Sequence, residues 1–270
     1  MIKRIGTYFN GLQKKAGLIF LVLFSLFLFG FAAKEQYALK CKALVVKIVN
    51  DAEITFLDES DVEQIILEGG QVKLGSIVAD INMAMLEKKI ELNPYVANAE
   101  VFSTVDGKLY AEVTQRKPLI RLINQHGEHF YIDTEGDFVP VSDKSAYSVI
   151  VANGFIYNNL KEKKAVAEVE IKGKISKSLA YQLYELGRFF DTHEFWNNQI
   201  EQVYVNVYQQ IELIPRIGNQ RIVLGNTDQL EARFEKLMLF YKEAMPRVGW
   251  DAYSKINLMY DGQVVCTKNN

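Results

Sequence analysis

Residues 93–118 read NPYVANAEVFSTVDGKLYAEVTQRKP, and this stretch decides the fold of the first half of the chain. Pro94 ends a helix, because the residue before a proline is disfavoured in the helical conformation. Two runs rich in β-branched and aromatic residues follow, Ala99–Thr104 and Leu109–Thr114, with Asp106-Gly107 between them. An Asp-Gly pair between two such runs is a strong turn signal, so the stretch predicts a β-hairpin.

Upstream of the hairpin, the sequence predicts one strand and two helices. Ala43–Asn50 (ALVVKIVN) is rich in β-branched residues, as a strand would be. Ser60 and Glu63 have the spacing of a capping box for a helix that stops at Gly69-Gly70. Asp80 is predicted to cap a second helix, whose apolar positions recur at helical spacing: Met83, Leu86 and Ile90. The predicted order is therefore β-α-α-β-β, in an α+β chain.

The N-terminus predicts a membrane anchor. Residues 1–15 carry four basic residues and no acid, and residues 16–33 (AGLIFLVLFSLFLFGFAA) carry no charge. Such a run spans roughly 27 Å as a helix, close to the thickness of the hydrocarbon core. The basic flank places the N-terminus in the cytoplasm and the chain after Lys34 on the other side of the membrane. The alternative is a cleaved signal peptide, with Gly30 and Ala32 as the small residues before the cut.

These patterns predict six segments, with the hinge between the two large domains at Lys117-Pro118. They are a cytoplasmic tail (1–15), a transmembrane helix (16–33), a juxtamembrane linker (34–42), a first domain (43–117), a second domain (118–268) and a two-residue tail (269–270).

Composition and charge exclude several classes of protein. The formal net charge of -2 and a pI of about 6.0 provide no electrostatic drive toward nucleic acid. Cys41 and Cys266 are the two cysteines, so the chain is neither a disulfide scaffold nor a zinc-cluster protein. They form one disulfide or remain two free thiols, and the sequence leaves both open. Motifs for a nucleophile elbow, a phosphate loop or a dinucleotide site are absent from the sequence, and no cofactor is expected.

The second domain reads as a sheet covered by helices. Ser176 or Ser178 could cap a helix with an apolar face made of Leu179, Leu183, Leu186, Phe189 and Phe190. Alternation predicts one strand through Val203, Val205 and Val207, and another at Ile222–Leu224 after Gly218-Asn219. A second amphipathic helix, ended by Pro246, is predicted from Leu230, Phe234, Leu237, Met238, Tyr241 and Met245.

Residues 126–138 (HGEHFYIDTEGDF) contain two histidines and four acids, which are the side chains of metal and acid/base sites. Apolar pairs flank the segment 134–137, so the acids are expected at a polar hairpin turn in which Gly136 supplies a positive φ and Asp133 bonds the backbone ahead of it. His126 and His129 are expected on a loop leading into a strand, and His193 on a distant helix. A solvated hairpin is therefore favoured over a metal site or a hydrolase site built from Asp133, Glu135 and Asp137.

The last two strands are the expected contact surface. Lys255–Tyr260 (KINLMY) and Gln263–Thr267 (QVVCT) flank Asp261-Gly262. A chain-terminal strand often lies at a sheet edge, where unpaired backbone groups can accept a strand from another protein. The alternative is an ordinary strand that is paired on both sides.

The order of these motifs resembles the bacterial cell-division protein family FtsQ/DivIB. NPYVANAEV and LYAEVTQRKP resemble parts of the family's POTRA domain. FYIDTEGDFVP, IELIPRIGNQRIVLG and WDAYSKINLMYDGQVVCTK resemble successive parts of its β-domain. With the anchor, the resemblance covers nearly the whole chain.

The resemblance implies a non-enzymatic, single-pass divisome scaffold of the inner membrane, with its C-terminal domains in the periplasm. Its β-domain would bind bitopic coiled-coil partners of the FtsB and FtsL type, and its POTRA domain would contribute to recruitment at the septum. The alternatives are an anchored cell-envelope hydrolase using the three carboxylates, and an outer-membrane assembly factor with POTRA domains. The outer-membrane assembly factor is disfavoured because the sequence lacks the alternating strand pattern of a transmembrane β-barrel.

The resemblance also identifies Lys255–Tyr260 as the strand edge that the partner joins. The expected binding residues are Lys255, Ile256, Asn257, Leu258, Met259, Tyr260, Gln263, Val264 and Val265. Alternation assigns Ile256, Leu258 and Tyr260 to the core face, and Lys255, Asn257 and Met259 to the other. Members of the family often carry aspartate and arginine where this chain has Asn257 and Met259, so a more apolar contact is expected.

Overall fold

The structure is a computed structural model that describes residues 20–25, 39–49, 54–68, 70, 72–165, 168–171 and 174–269. Of the predicted span, only residues 20–25 are described, and they are helical and exposed. The rest of the span, the predicted cytoplasmic tail and most of the linker lie outside the described residues. Within the described ranges, no helix combines the length and apolar character needed to cross a membrane.

The chain divides into two compact units. The first contains Met1–Val49 and Asp58–Thr114, and the second contains Asn50–Leu57 and Gln115–Asn270. Gln115 explains why the short segment 54–57 belongs to the second unit. Its buried side-chain amide accepts from the Leu57 N–H at 2.9 Å and donates to the Ile54 carbonyl at 3.4 Å.

The first unit has the order predicted from the sequence. Its elements are β1 (Ala43–Val49), α1 (Glu59–Glu68), α2 (Met83–Glu91), β2 (Val96–Ser103) and β3 (Lys108–Gln115). The strands form one sheet in the order β1-β3-β2, with β1 parallel to β3. Every second residue of β3 is buried, and Leu109, Ala111 and Val113 lie in the core. The β-α-α-β-β prediction is confirmed.

Both predicted caps in this unit are wrong, although both helices exist. The capping box of α1 uses Asp58 and Asp61, not Ser60 and Glu63. Asp61 N–H donates to the Asp58 carboxylate at 3.0 Å, and Asp58 N–H donates to the Asp61 carboxylate at 2.9 Å. The α1 helix begins one residue before Ser60, so Ser60 cannot be the residue that precedes it. The N-cap of α2 is Asn82, which accepts from Met85 N–H, because Asp80 ends a short 3-10 turn.

The second unit is built on a large mixed sheet. Its strands are β4 (Pro118–Ile123), β5 (His129–Asp133), β6 (Phe138–Pro140), β7 (Val151–Gly154), β8 (Glu168–Ile171), β9 (Lys174–Lys177), β10 (Ile200–Val205), β11 (Ile211–Pro215), β12 (Arg221–Gly225), β13 (Tyr253–Asn257) and β14 (Val265–Lys268). Its helices are α3 (Leu179–Thr192), α4 (Glu194–Gln199), α5 (Leu230–Glu243) and α6 (Met245–Val248).

Nine of these strands form one sheet in the order β14-β13-β12-β11-β10-β7-β4-β5-β6, and β8 pairs with β9 separately. Parallel pairs join β7 to β4 and β10, and β12 to β13; the other pairs are antiparallel. The chain thus folds as an α+β protein with a large mixed sheet, as the sequence predicts.

The sheet packs against helices, and side chains from both form the core. The predicted apolar faces of α3 and α5 are buried against the strands, through Phe189 and Phe190 of α3 and Phe234 of α5. Ser178 caps α3 by accepting from Tyr181 N–H at 3.1 Å, as one of the two predicted caps. Two details of the prediction are wrong. Val207 lies in the turn after β10 and is 58% exposed, and Met245 begins α6 rather than ending α5.

Gly154 marks the closest backbone approach inside the sheet. It pairs with Val205 of β10 and has a φ of +99°. A Cβ at this position would lie 2.2 Å from the Val205 carbonyl oxygen. The sheet therefore requires glycine here for both its conformation and its space.

We expect Gly154→Ala to lower the free energy of unfolding by roughly 3–5 kcal/mol, through overpacking and backbone strain together. Gly127→Ala is the matched control, since Gly127 has a φ of +76° but open space around its Cα. This control should cost about 1 kcal/mol. Urea unfolding of both variants measures the difference, and equal losses would contradict the account of the close approach.

The buried Tyr241 makes the stability of the second unit depend on pH in the alkaline range. Its side chain is buried, and the Gln220 amide is the polar neighbour of a hydroxyl that lacks a well-formed hydrogen bond. Burial raises the pKa of Tyr241 to about 12, although the Gln220 amide opposes the rise. The unfolded chain ionises at about 10, so the folded state retains a proton that the unfolded state loses. Stability is unaffected below pH 10 and falls as the pH rises toward 12.

We expect Tyr241→Phe to remove this loss, which amounts to about 2–3 kcal/mol at most. Urea unfolding of parent and variant between pH 8 and pH 12 tests it. The variant should gain stability relative to the parent only above pH 10, and a constant difference at all pH values would contradict the assignment.

Candidate partner-binding site

The nine-stranded sheet has two edges, and they differ in how they are covered. At one edge, β6 lies beside the segment 163–165: Phe138 N–H donates to the Lys163 carbonyl at 2.7 Å, and Asp137 forms a bridge with Lys164. Pro140 at the end of β6 has no N–H to offer. At the other edge, β14 pairs with β13 on one side, and no described strand lies on its other side. The open edge of the sheet is therefore β14.

This result corrects the predicted edge. The predicted binding strand begins at Lys255, but Lys255–Asn257 belongs to β13, which pairs with β12 on one side and with β14 on the other. The alternative of a strand paired on both sides holds for these residues. The open edge comes from the second predicted strand, through Val265–Lys268. Alternation alone could not separate the two, because it identifies faces and not neighbours.

The backbone directions can be followed from two hydrogen bonds. Leu258 N–H donates to the Val223 carbonyl of β12 at 2.9 Å, so the N–H of Asn257 points the other way, toward β14. Asn269 N–H donates to the Ala252 carbonyl at 3.1 Å. Alternation then turns the N–H groups of Cys266 and Lys268 away from β13, toward the open side. A proline at Asn257 would therefore disrupt the β13–β14 pairing, and it is not a test of an outward donor.

The side chains of the predicted binding strand fall on the expected faces, with one exception. Ile256 and Leu258 are fully buried, and Lys255 and Met259 are exposed. Tyr260, predicted to lie in the core, is 50% exposed, because the strand ends at Asn257 and the chain turns after Leu258. Whether these residues bind a partner remains a prediction.

The residues around the open edge are only partly buried. Gln263 is exposed, Val264 packs at the margin of the core, and Val265 is 41% exposed. Cys266 is a free thiol, as is Cys41, so the structure has the two free thiols and not the disulfide that the sequence left open. Cys266 faces the core side, where burial raises the pKa of its thiol. The edge therefore presents mainly backbone groups, with small and partly apolar side chains beside them.

The carboxylates of the 126–138 segment do converge, but around a cation of the chain itself. Asp133, Glu135 and Asp137 bring ligand oxygens within 4.8 Å of one another. The Arg116 Nη1 atom lies 2.6 Å from an Asp133 oxygen and 2.7 Å from an Asp137 oxygen, with Glu135 at 3.7 Å. A metal ion would have to displace this guanidinium. Sequence spacing gave no sign of Arg116, which precedes the hairpin by a whole strand.

Asp133 is the centre of this network. It is 1% exposed, and its second oxygen accepts the N–H groups of Glu135 and Asp137 at 2.9 and 2.8 Å. Burial opposes the charge of Arg116, but the hydrogen bonds and charges of Asp133 and Asp137 outweigh it and raise the pKa of the guanidinium. The expected backbone bonds of Asp133 within the turn are confirmed, and the exposed Glu135 fits a solvated turn. Asp133 itself is buried, so the expectation that it is solvated is wrong.

The histidines do not join this cluster in the described structure. His129 Nδ1 lies 3.0 Å from an Arg121 nitrogen, and His126 is exposed in its turn. His193 lies after α3, where Nδ1 contacts the Phe189 carbonyl at 2.8 Å. The three histidines thus have separate local environments.

We expect Arg116→Met to destabilise the second unit by roughly 3–5 kcal/mol, because it leaves the Asp133 charge buried and unpaired. Lys164→Met is the matched control, since Lys164 contacts Asp137 at 3.4 Å from an exposed position. An exposed pair contributes about 1 kcal/mol or less. Urea unfolding of both variants checks this, and an Arg116 variant as stable as the control would show that the network is not structural.

Comparison with known families agrees with this architecture. A family model described as FtsQ/DivIB, C-terminal related, matches residues 117–267, and a model of a POTRA-like domain matches residues 39–114. A search of curated proteins gave no match. The first match covers more than half of the chain, spans the nine-stranded sheet from β4 to β14, and follows directly on the POTRA-like match. The chain belongs to the FtsQ/DivIB family of cell-division proteins.

Proposed function

We propose that this protein is a non-enzymatic scaffold of the division machinery that binds a partner by accepting its strand at the open edge of β14. The partners would be bitopic division proteins of the FtsB and FtsL type. The protein would be held in the inner membrane by residues 16–33, with both folded units in the periplasm and the POTRA-like unit contributing to recruitment at the septum.

One observation carries the proposal: the sheet is closed at β6 and open at β14. An open edge has unpaired N–H and C=O groups in a row, which pair readily with an added strand. Globular proteins commonly block such edges with bulges, prolines or covering segments. This chain covers β6 and leaves β14 without a described neighbour.

Strand addition also suits the character of the edge. Cys266 and Lys268 would supply the outward backbone groups, and Val265 and Thr267 alternate with them on the exposed face. Met259 and Tyr260 lie on the segment between β13 and β14, with exposed fractions of 39% and 50%. They offer apolar contact area near the edge, and Met259 stands where members of the family often carry a charged residue. Backbone pairing would supply affinity, and these side chains would supply selectivity.

The hydrolase alternative receives less support. Its three carboxylates surround Arg116 within 3.7 Å, so they serve as counterions to a partly buried cation. A general acid or base must instead be placed against a substrate atom. The proposal therefore assigns the chain a binding role.

We expect Cys266→Pro to abolish capture of an FtsB-type partner, because proline removes the outward N–H at the middle of the edge. Cys266→Ala keeps that donor and removes the same side chain, so it is the matched control and should capture nearly as much partner as the parent. Co-purification from membranes, with circular dichroism to verify folding, makes the comparison.

A folded proline variant that captures the partner as well as the alanine variant would remove β14 from the interface. A proline placed instead at Thr267, whose N–H points toward β13, should unfold the hairpin. Comparing the two proline variants distinguishes loss of the whole β13–β14 hairpin from loss of one outward N–H donor.

A further inference from the structure

The segment between β13 and β14 is fastened by a lysine from α5. The Lys236 ammonium donates to the Leu258 carbonyl at 3.1 Å and to the Tyr260 carbonyl at 2.5 Å. Both carbonyls follow the end of β13, where strand pairing no longer continues. Lys236 is therefore the link from α5 to the chain that leads into the open edge.

Lys236 differs from an ordinary solvent-exposed lysine in its burial and in its partners. Its side chain is half-buried, and no carboxylate lies within ion-pair distance of it among the residues that the structure describes. Burial lowers the pKa of this amine, the nearby Arg233 charge lowers it further, and Asp261 opposes the shift. Burying a lysine has a free-energy cost unless its donors are satisfied, and here the two carbonyls accept from two of its three N–H donors.

Two further contacts hold the same segment. Met259 N–H donates to the Asn257 side chain at 2.9 Å. The Met259 side chain lies over Gly225, where a Cβ would come within 2.8 Å of it, and its sulfur accepts a weak hydrogen bond from Gln210 at 3.9 Å. The chain after β13 is thus placed by contacts from α5, β12 and the turn before β11.

β14 is held along its length by pairing with β13. At its far end, Ser254 Oγ donates to the carbonyls of Thr267 and Lys268 at 3.3 and 3.4 Å, and the Asn269 side-chain amide donates to the Asp251 carbonyl at 2.7 Å. The Lys236 contacts act at the opposite end, where the loop enters the strand. β14 is four residues long, and Val265, Thr267 and Lys268 are exposed, so the strand buries little apolar surface of its own. The loop residues Asp261 and Gly262 are exposed as well. Fixing the loop before such a short strand adds to its stability, because local stability follows local burial and hydrogen bonding.

We infer that Lys236 is a positioning residue for the partner-binding edge: it holds the segment 258–262 against α5 and thereby keeps β14 ready to accept a strand. This inference rests on the proposed function, since it gives the lysine a role in partner binding. A partner that needs the edge in place binds with an apparent affinity scaled by the fraction of molecules in which it is in place. Loss of the lysine should therefore slow association more than it speeds dissociation.

The test uses the full-length protein in detergent micelles and three variants. Lys236→Met keeps the apolar stem and removes both donors, Lys236→Arg keeps a donating cation, and Lys242→Met changes an exposed lysine of the same helix. Amide hydrogen exchange is measured by mass spectrometry for peptides covering 255–268 and 200–215. Binding kinetics are measured with the FtsB-type protein of the same organism.

For Lys236→Met we expect exchange in 258–268 to rise about tenfold or more and the association rate to fall about tenfold, while exchange in 200–215 stays at the parent level. The arginine variant should restore both to within about threefold, and Lys242→Met should match the parent. Parent-like exchange in 258–268 of the methionine variant would overturn the inference. Faster exchange with an unchanged association rate would overturn it too.

These outcomes are separable from a failure of the proposed function. The exchange comparison requires no partner, so it reports on the Lys236 contacts even if the edge binds nothing. If Cys266→Pro leaves partner capture undiminished, the proposed function fails by itself. If that variant loses capture while Lys236→Met retains a normal association rate, the proposed function stands and the role of Lys236 falls.

Discussion

A β-sheet that does not close into a barrel has two edges, and the fate of those edges governs how the second unit can interact. Each strand of the nine-stranded sheet satisfies its backbone groups through its neighbours, and only the two terminal strands lack a neighbour on one side. At β6 the segment after the 3-10 turn Leu160–Glu162 supplies part of the missing pairing. At β14 the described chain supplies none. The backbone groups of the inner strands are paired within the sheet, so the edge at β14 is the place where backbone groups remain available for another chain.

The ion network around Arg116, in which Asp133 is buried, has a different role. It joins the residues just before β4 to the β5–β6 turn, and so fixes the hairpin that forms the covered edge. The same three carboxylates read, in the sequence, as candidate metal ligands or hydrolase residues. The Arg116 guanidinium lies between these carboxylates and neutralises their charge, as a bound metal ion would. The carboxylates therefore stabilise the fold through ion pairs with a cation of the same chain.

Much of the fold could be predicted from the sequence because it depends on local signals. The hairpin at Asp106-Gly107, the apolar face of α3 and the turn at Gly136 each depend on residues close together in the chain. The capping boxes were harder, since Asp58 and Ser60 are both good caps and the choice depends on where the helix begins. Arg116 could not be found at all, as its partners are separated from it by β4.

At the proposed binding edge, too, local features could be predicted from the sequence and long-range features could not. Alternation correctly assigned Ile256 and Leu258 to the core and Lys255 to the opposite face. It could not tell that β13 has two neighbours and β14 has one, because the order of strands in a sheet is set by long-range pairing. Lys236 is a contact of the same kind, made between a helix and a loop that are far apart in sequence.

The most direct test of the central claim is the exchange of individual backbone amides, measured by NMR, in the presence and absence of an FtsB-type partner. Strand addition predicts that the amides of Cys266 and Lys268 become protected on binding, while the amide of Phe138 at the covered edge keeps its rate. Unchanged exchange at Cys266 and Lys268 in a saturated complex would show that the partner binds elsewhere.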